Sequence, residues 1–152
     1  MERARNALDA QLWARANTPI GTLFMVDPGF GYMWRDKSHR PSFGTVREWL
    51  LISIMYNSRA SLLEEGMRRY EALGLQRPDY VFNPTERSMP RLLDRLIGDA
   101  VRAFSALKHE DFERLAGIYG INHVVFDRAR LSGQAPLPVV YQNAQFVIGR
   151  IR

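Results

Sequence analysis

Two short apolar runs rich in strand formers constrain this chain most: Thr22-Leu23-Phe24-Met25-Val26 and, far downstream, Ile121-Asn122-His123-Val124-Val125-Phe126. The first follows Asn17-Thr18-Pro19 and ends at Asp27-Pro28-Gly29; the second follows Gly120. Short runs of this kind, bounded by turn residues, read as buried strands. Near the C-terminus, Val139-Val140-Tyr141 and Phe146-Val147-Ile148 flank Gln142-Asn143-Ala144-Gln145, the spacing of a β-hairpin. With helical patterns elsewhere, the reading is a three-layer α/β fold. A small mixed sheet has parallel core strands near 22–26 and 122–126, a C-terminal hairpin extends it, and helices cover both faces.

The helices are legible from periodicity and caps. Residues 2–16 place Leu8, Leu12 and Ala16 at intervals of four, with Ala4 before them, which predicts that this stripe packs on the sheet. Asn17-Thr18-Pro19 stops that helix, because a residue before proline avoids the helical region. Thr45-Val46-Arg47-Glu48 matches a capping box and predicts a helix through about Tyr56; Ser61-Leu62-Leu63-Glu64 repeats the pattern, with Gly74 placed as a left-handed cap. Between residues 75 and 88 the chain is polar, with one apolar trio at Tyr80-Val81-Phe82. Ser88 is set to cap a helix with Pro90 in its first turn and an apolar face of Leu92, Leu93, Leu96, Ile97, Ala100, Val101 and Phe104. A last helix runs from His109 to Gly120. With 152 residues, no internal repeat and no dividing linker, the chain reads as one soluble domain over 1–152, long enough to bury a core without disulfides or metals.

Several chemistries are excluded or made remote. There is no cysteine, so thiolate zinc sites and cysteine nucleophiles are out. The three histidines, His39, His109 and His123, lack metal-ligand spacing, no G-x-S-x-G elbow is present, and the expectation is no metal, no cofactor and no catalytic residue. The formal charge is +5, but arginines are interleaved with carboxylates and form no block, which argues against a nucleic-acid partner and suits an anionic polymer or lipid. The longest apolar run, Trp49 to Tyr56, is too short to span a bilayer.

Residues 27–44 form a long loop mixing glycine, aromatic and basic residues, and long loops in compact domains are often functional. Its candidate ligand-binding residues are Asp27, Trp34, Ser38 and Arg40. A flat indole suits a sugar ring, and a guanidinium forks onto a carboxylate or phosphate. The same residues admit a structural reading, with Trp34 plugging the core, Asp27 and Pro28 shaping the turn, and Arg40 paired with Asp27 or Asp36. A small stand-alone hydrolase or transferase with its site in this loop is the alternative to a non-catalytic domain.

Both ends of the chain resemble a known domain. The opening Trp13-Ala14-Arg15-Ala16-Asn17-Thr18-Pro19-Ile20-Gly21-Thr22-Leu23-Phe24-Met25-Val26 is similar to the helix-"NTP"-strand start of the small soluble α/β domain that ends many bacterial multi-pass membrane proteins, including GT-C glycosyltransferases and related proteins of unknown activity. The close, Ile118-Tyr119-Gly120 with the strand after it and Leu137-Pro138-Val139-Val140-Tyr141-Gln142-Asn143-Ala144-Gln145-Phe146-Val147-Ile148-Gly149-Arg150-Ile151, is similar to that domain's "YG" strand and "LPxVYxNxxFxIxRI" hairpin. Ser38, Arg40, Phe43 and Gly44 match an "S-x-R…F-G" stretch of one group of these domains. The resemblance implies a periplasmic location on the bacterial inner membrane, excision from a longer chain, a parent transmembrane region as partner, and a role beside a glycan or polysaccharide. Any transferase chemistry would belong to that transmembrane part.

Overall fold

The computed structural model describes residues 1–49, 60–78 and 89–152. They form two compact units, residues 1–43 with 107–152, and residues 44–106. In chain order the elements are α1 (Glu2–Asn17), β1 (Phe24–Val26), α2 (Arg35–Ser38), helical residues 46–49, α3 (Ala60–Ala72), α4 (Met89–Ala106), α5 (His109–Tyr119), β2 (His123–Asp127), a 3-10 turn (Arg128–Arg130), β3 (Val139–Gln142) and β4 (Phe146–Arg150). The fold is α/β. The helix expected through Tyr56, the trio Tyr80-Val81-Phe82 and the Ser88 cap lie outside the described residues.

The first unit is built on a four-stranded mixed sheet in the order β1-β2-β4-β3. β1 and β2 are parallel, Phe24 opposite His123 and Val26 opposite Val125. β2 and β4 are antiparallel, Val125 opposite Ile148 and Asp127 opposite Phe146. β3 and β4 make the hairpin, with a register shift between Val139 and Tyr141. Period-two alternation sorts the side chains into two faces. Phe24, Val26, Val125, Phe146 and Ile148 pack with Ala7, Ala10 and Ala14 of α1 and with Phe30 and Trp34. On the other face Phe112 of α5 stands edge-on to Phe126 at 5.6 Å, with Met25, Val124 and Val147 buried alongside. Helices therefore cover both faces, as the three-layer reading requires.

Two expectations need correction. The buried face of α1 is Ala7, Ala10, Gln11 and Ala14, whereas Leu8 is 39% and Leu12 43% exposed. The two stripes have equally good helical spacing, and hydrophobicity alone favours the leucines. The separation of packed elements depends on the side chains between them, and the alanines let α1 lie close on the sheet. The loop 27–44 also carries more structure than expected. It contains α2, and Ser42 bridges β1 in parallel, with Phe24 N–H donating to Pro41 O (3.0 Å) and Phe43 N–H to Phe24 O (2.8 Å).

The second unit is helical among its described residues. Thr45 N–H donates to Glu48 Oε2 at 2.6 Å and Glu48 N–H to Thr45 Oγ1 at 3.5 Å, the capping box read from the sequence. Leu63, Met67, Tyr70 and Leu73 are buried at spacings of three and four, as are Leu92, Leu96, Ala100 and Phe104 of α4. α3 already runs at Ala60, so Ser61 lies inside it and does not cap it; Gly74 closes it at φ 86°. Gly66 is required by proximity, since a Cβ there would come within 2.6 Å of the Trp49 Cβ.

Candidate functional site

A concentrated set of charged side chains stands, among the described residues, at the carboxyl ends of the two parallel strands, where open α/β sheets place their ligands. Each strand delivers an acid there. Asp27 follows β1, Asp127 closes β2, and each is 1% exposed. Buried carboxylates need partners, and these come from distant parts of the chain. Arg130 grips Asp27 with Nε on Oδ2 (3.1 Å) and Nη2 on Oδ1 (2.8 Å), and the same Nη2 lies 3.0 Å from Asp127 Oδ2. Arg3, from the first turn of α1, donates Nη1 to Asp127 Oδ2 at 2.7 Å and Nη2 to Gly29 O at 3.1 Å, and its guanidinium sits 5.1 Å over the Phe146 ring.

The remaining carboxylate oxygen is also occupied. Asp127 Oδ1 accepts from Gln145 Nε2 (2.6 Å) and Ala129 N–H (3.0 Å). Asp27 Oδ1 accepts from Gly29 N–H at 2.8 Å, the turn-shaping role expected of it. A Cβ at Gly29 would meet the Arg130 guanidinium, its carbon at 2.9 Å, so a side chain there would push the arginine off Asp27. Burial by itself would raise the Asp127 carboxyl, but the bonds from Arg3, Ala129 and Gln145 and the charge of Arg130 outweigh it and hold the group below the ordinary aspartate value. Arg130 is held above its ordinary value: burial opposes this, and its bonds and charge contact with Asp27, together with Asp127, prevail. Chemically this is a closed network, two anions against two cations with every carboxylate oxygen bonded.

Of the four residues singled out in the sequence, only Asp27 belongs to this network. Trp34, Ser38 and Arg40 come together elsewhere, inside the sheet unit. Trp34 is 1% exposed, with ring centroids 5.0 Å from Phe24 and 5.7 Å from Phe30. Ser38 is fully buried; its Oγ donates to Trp34 O at 2.6 Å and accepts from Arg40 N–H at 3.2 Å. His39, at φ 51°, reverses the chain after α2, and Arg40 turns back onto the end of α1. Its Nη2 donates to Arg15 O (2.7 Å) and Thr18 O (2.5 Å), and its Nε to Thr18 Oγ1 (3.1 Å). The expected acid partner for Arg40 is replaced by carbonyls. The last carbonyls of a helix lack intrahelical partners and carry its negative pole, so a buried guanidinium satisfies both needs.

Sequence reasoning missed Asp127, Arg3, Arg130 and Gln145. One signal was present: both strand runs finish with two apolar residues and then aspartate, Met25-Val26-Asp27 and Val125-Phe126-Asp127. Arg3 carries no such mark, because its partner lies 124 residues away; Arg130 stands three residues after Asp127, but the carboxylate it grips, Asp27, lies 103 residues back.

In the helical unit Tyr70, Gln76, Arg77, Arg95, Leu96 and Asp99 line an open hollow of about 420 Å3. Arg77 is held there by Glu64 (2.7 and 3.0 Å) and Glu71 (3.1 Å), and its hydrogen bond holds Glu64 below the ordinary glutamate value. Among the described residues no group of three or more His, Asp or Glu side chains is placed to hold a metal ion, and no helix is long and apolar enough to cross a membrane. In comparisons with known proteins, no family model, no curated protein and no solved structure matches this chain.

Proposed function

We propose that this chain is a non-catalytic extracytoplasmic domain of a larger bacterial membrane protein, of the kind that accompanies GT-C-like transmembrane regions, where it supports the handling of a glycan or polysaccharide. The observation that carries the reading is the way the two resembling ends meet. Trp13 of the opening motif stacks on Tyr141 of the closing motif at 5.1 Å. Asn143 donates to Asn6 O at 2.8 Å and to the Tyr141 hydroxyl at 3.1 Å, while its Oδ1 accepts from Gln145 and Phe146 N–H and shapes the hairpin turn. Asn122 Oδ1 accepts from Leu23 N–H at 2.9 Å and joins the two parallel strands at their start. Residues quoted from both ends thus serve one another in a single unit, which is what a shared domain requires.

The closed acid network supports the non-catalytic part. A general base or nucleophile needs an oxygen open to a substrate, and the oxygens of Asp27 and Asp127 are engaged by protein donors.

The test is the native reading frame and its topology. Several hydrophobic spans upstream of Glu2 are expected, with alkaline phosphatase fused after Arg152 active and the domain cleaved by protease added to spheroplasts. A native start at Met1 in a protein recovered from the cytosol would overturn the reading.

A further inference from the structure

The hollow of the helical unit is lined by α3, α4 and the segment after α3, and its lining is graded in depth. Tyr70 of α3 and Leu96 of α4 are 1% and 2% exposed. Arg77, Pro78 and Asp99 are half-buried beside them, while Gln76 and Arg95 are exposed. The Tyr70 hydroxyl makes no hydrogen bond among the described residues, and the charges that act on it are those of Asp99, Arg95 and Arg102. A buried hydroxyl ordinarily finds a partner, and here the hollow is where one can come from. Arg77 is a fixed plate on the wall. Glu64 takes its Nη1 at 2.7 Å and its Nη2 at 3.0 Å, and Glu71 takes Nη2 again at 3.1 Å. At about 420 Å3 the space is within the range of small-molecule sites, which commonly lie between helices.

We infer that this hollow binds a neutral saccharide through its hydroxyl groups. Charge balance sets the class of ligand. Arg77, Arg95 and Arg102 are matched there by Glu64, Glu71 and Asp99, so the lining holds no surplus cation for a phosphate or a carboxylate. Among the described residues no group of three His, Asp or Glu gathers for a metal ion. The lining is also too polar for an apolar molecule, with Leu96, Pro78 and the Tyr70 ring as its apolar surface. What remains is a mixed set of donors and acceptors, mostly on planar groups. The guanidiniums donate, Asp99 accepts, and Gln76 and the Tyr70 hydroxyl do both. A sugar hydroxyl likewise donates and accepts at once, and neighbouring hydroxyls on a ring can meet two atoms of one planar side chain. Leu96 and Pro78 can cover ring C–H groups. The glutamates that fix Arg77 lower the ordering cost of binding. The inference rests on the reading above only for a glycan within reach of the domain.

The test is calorimetric titration of the 152-residue chain with maltose, cellobiose and diacetylchitobiose, and in parallel with galacturonic acid and inorganic phosphate. Binding of at least one neutral disaccharide is expected, with no heat from the two anions. Tyr70→Phe keeps the buried ring and removes only the hydroxyl, and is expected to weaken binding about tenfold, the size of one lost hydrogen bond. Asp99→Asn keeps the shape and removes the charge, and is expected to weaken it by at least as much, because hydrogen bonds to an ionised acceptor are the stronger ones. Ile118→Ser, 62% exposed on α5 in the other unit, is the control and leaves binding unchanged. Thermal melting confirms that each variant is folded; should Tyr70→Phe lose its fold, Asp99→Asn decides alone. No disaccharide binding, binding of galacturonic acid or phosphate in its place, or disaccharide binding untouched by the folded variants overturns the inference. The reading frame is scored separately. Spans upstream with no disaccharide binding sink the site and spare the proposed function; binding in a chain whose frame lacks spans does the reverse.

Discussion

Arg3 meets Asp127 across 124 residues of chain and Arg130 meets Asp27 across 103, whereas in the helical unit Arg69 meets Glu65 one helical turn away. The carboxylates of the first pairs are almost fully buried; the Glu65 carboxylate is 42% exposed. The same chemical pairing therefore does different things in the two units. In solvent, a pair one turn apart adds a few tenths of a kcal/mol to a helix that would form anyway. Inside the sheet unit, removing one partner strands a charge in a place that water does not reach. The sheet unit is specified by polar contacts between remote segments, and the helical unit by apolar periodicity.

The strongest test of that contrast is Arg130→Ala, which leaves Asp27 buried without its cation. A loss of roughly 3–5 kcal/mol is expected by urea denaturation; a loss under 1 would mean that the network is solvated and the contrast with the helical unit is false. Arg40→Ala comes next. It frees the carbonyls at the end of α1 and is expected to lower stability by about 2–3 kcal/mol, since hydrogen bonds from a charged donor are among the stronger ones. Should the variant melt like the parent and instead lose binding to an acidic glycan, Arg40 recognises a ligand.

A smaller effect tests how the two chain ends meet. A double-mutant cycle on Trp13→Ala and Tyr141→Ala is expected to give a coupling of about 1 kcal/mol, the usual size for an aromatic pair beyond its area burial. Additive losses would show that the stack only fills space. The next test uses pH. Burial, and then the positive charge of Arg150 opposite it on β4, lower the His123 pKa below the ordinary histidine value. As pH falls through that ordinary value, the unfolded chain takes up the proton before the folded chain does, so stability declines from there down to the folded-state pKa. Urea midpoints measured across this window should slope for the wild type and flatten in His123→Gln; parallel curves would assign the slope elsewhere. The smallest effect belongs to Arg102, 74% exposed and paired with Asp99 on α4. Arg102→Ala is expected to change stability by no more than about 0.5 kcal/mol, and a larger loss would bring the helical unit closer to the sheet unit.

Much of the fold was legible beforehand for reasons that are local. Pro19 after Thr18 ends α1, the Thr45–Glu48 box opens the next helix, Gly120 at φ 75° closes α5, and the alternating hairpin residues pair as β3 and β4. The site was less legible. Asp27 was picked out as a carboxylate beyond a strand, but its partner Arg130 looked like any other arginine. Arg40 was picked out for the right chemistry, a guanidinium that forks onto oxygen, and finds those oxygens on the backbone of Arg15 and Thr18.

By itself the sequence determined α1, α5 and the four strands, though not α2 inside the loop, because caps, prolines and apolar spacing act within a few residues of chain. It also carried the shared ending of the two strand runs, Val26-Asp27 and Phe126-Asp127, of which only Asp27 was picked out. Only the tertiary structure decided which side of α1 faces the sheet. Both stripes satisfy helical spacing, and the choice of alanine over leucine depends on how closely the helix and β4 approach. Only the tertiary structure, likewise, chose which arginines neutralise Asp27 and Asp127, since a buried charge selects its partner by distance in space and the chain offers many arginines at no distinguishing position.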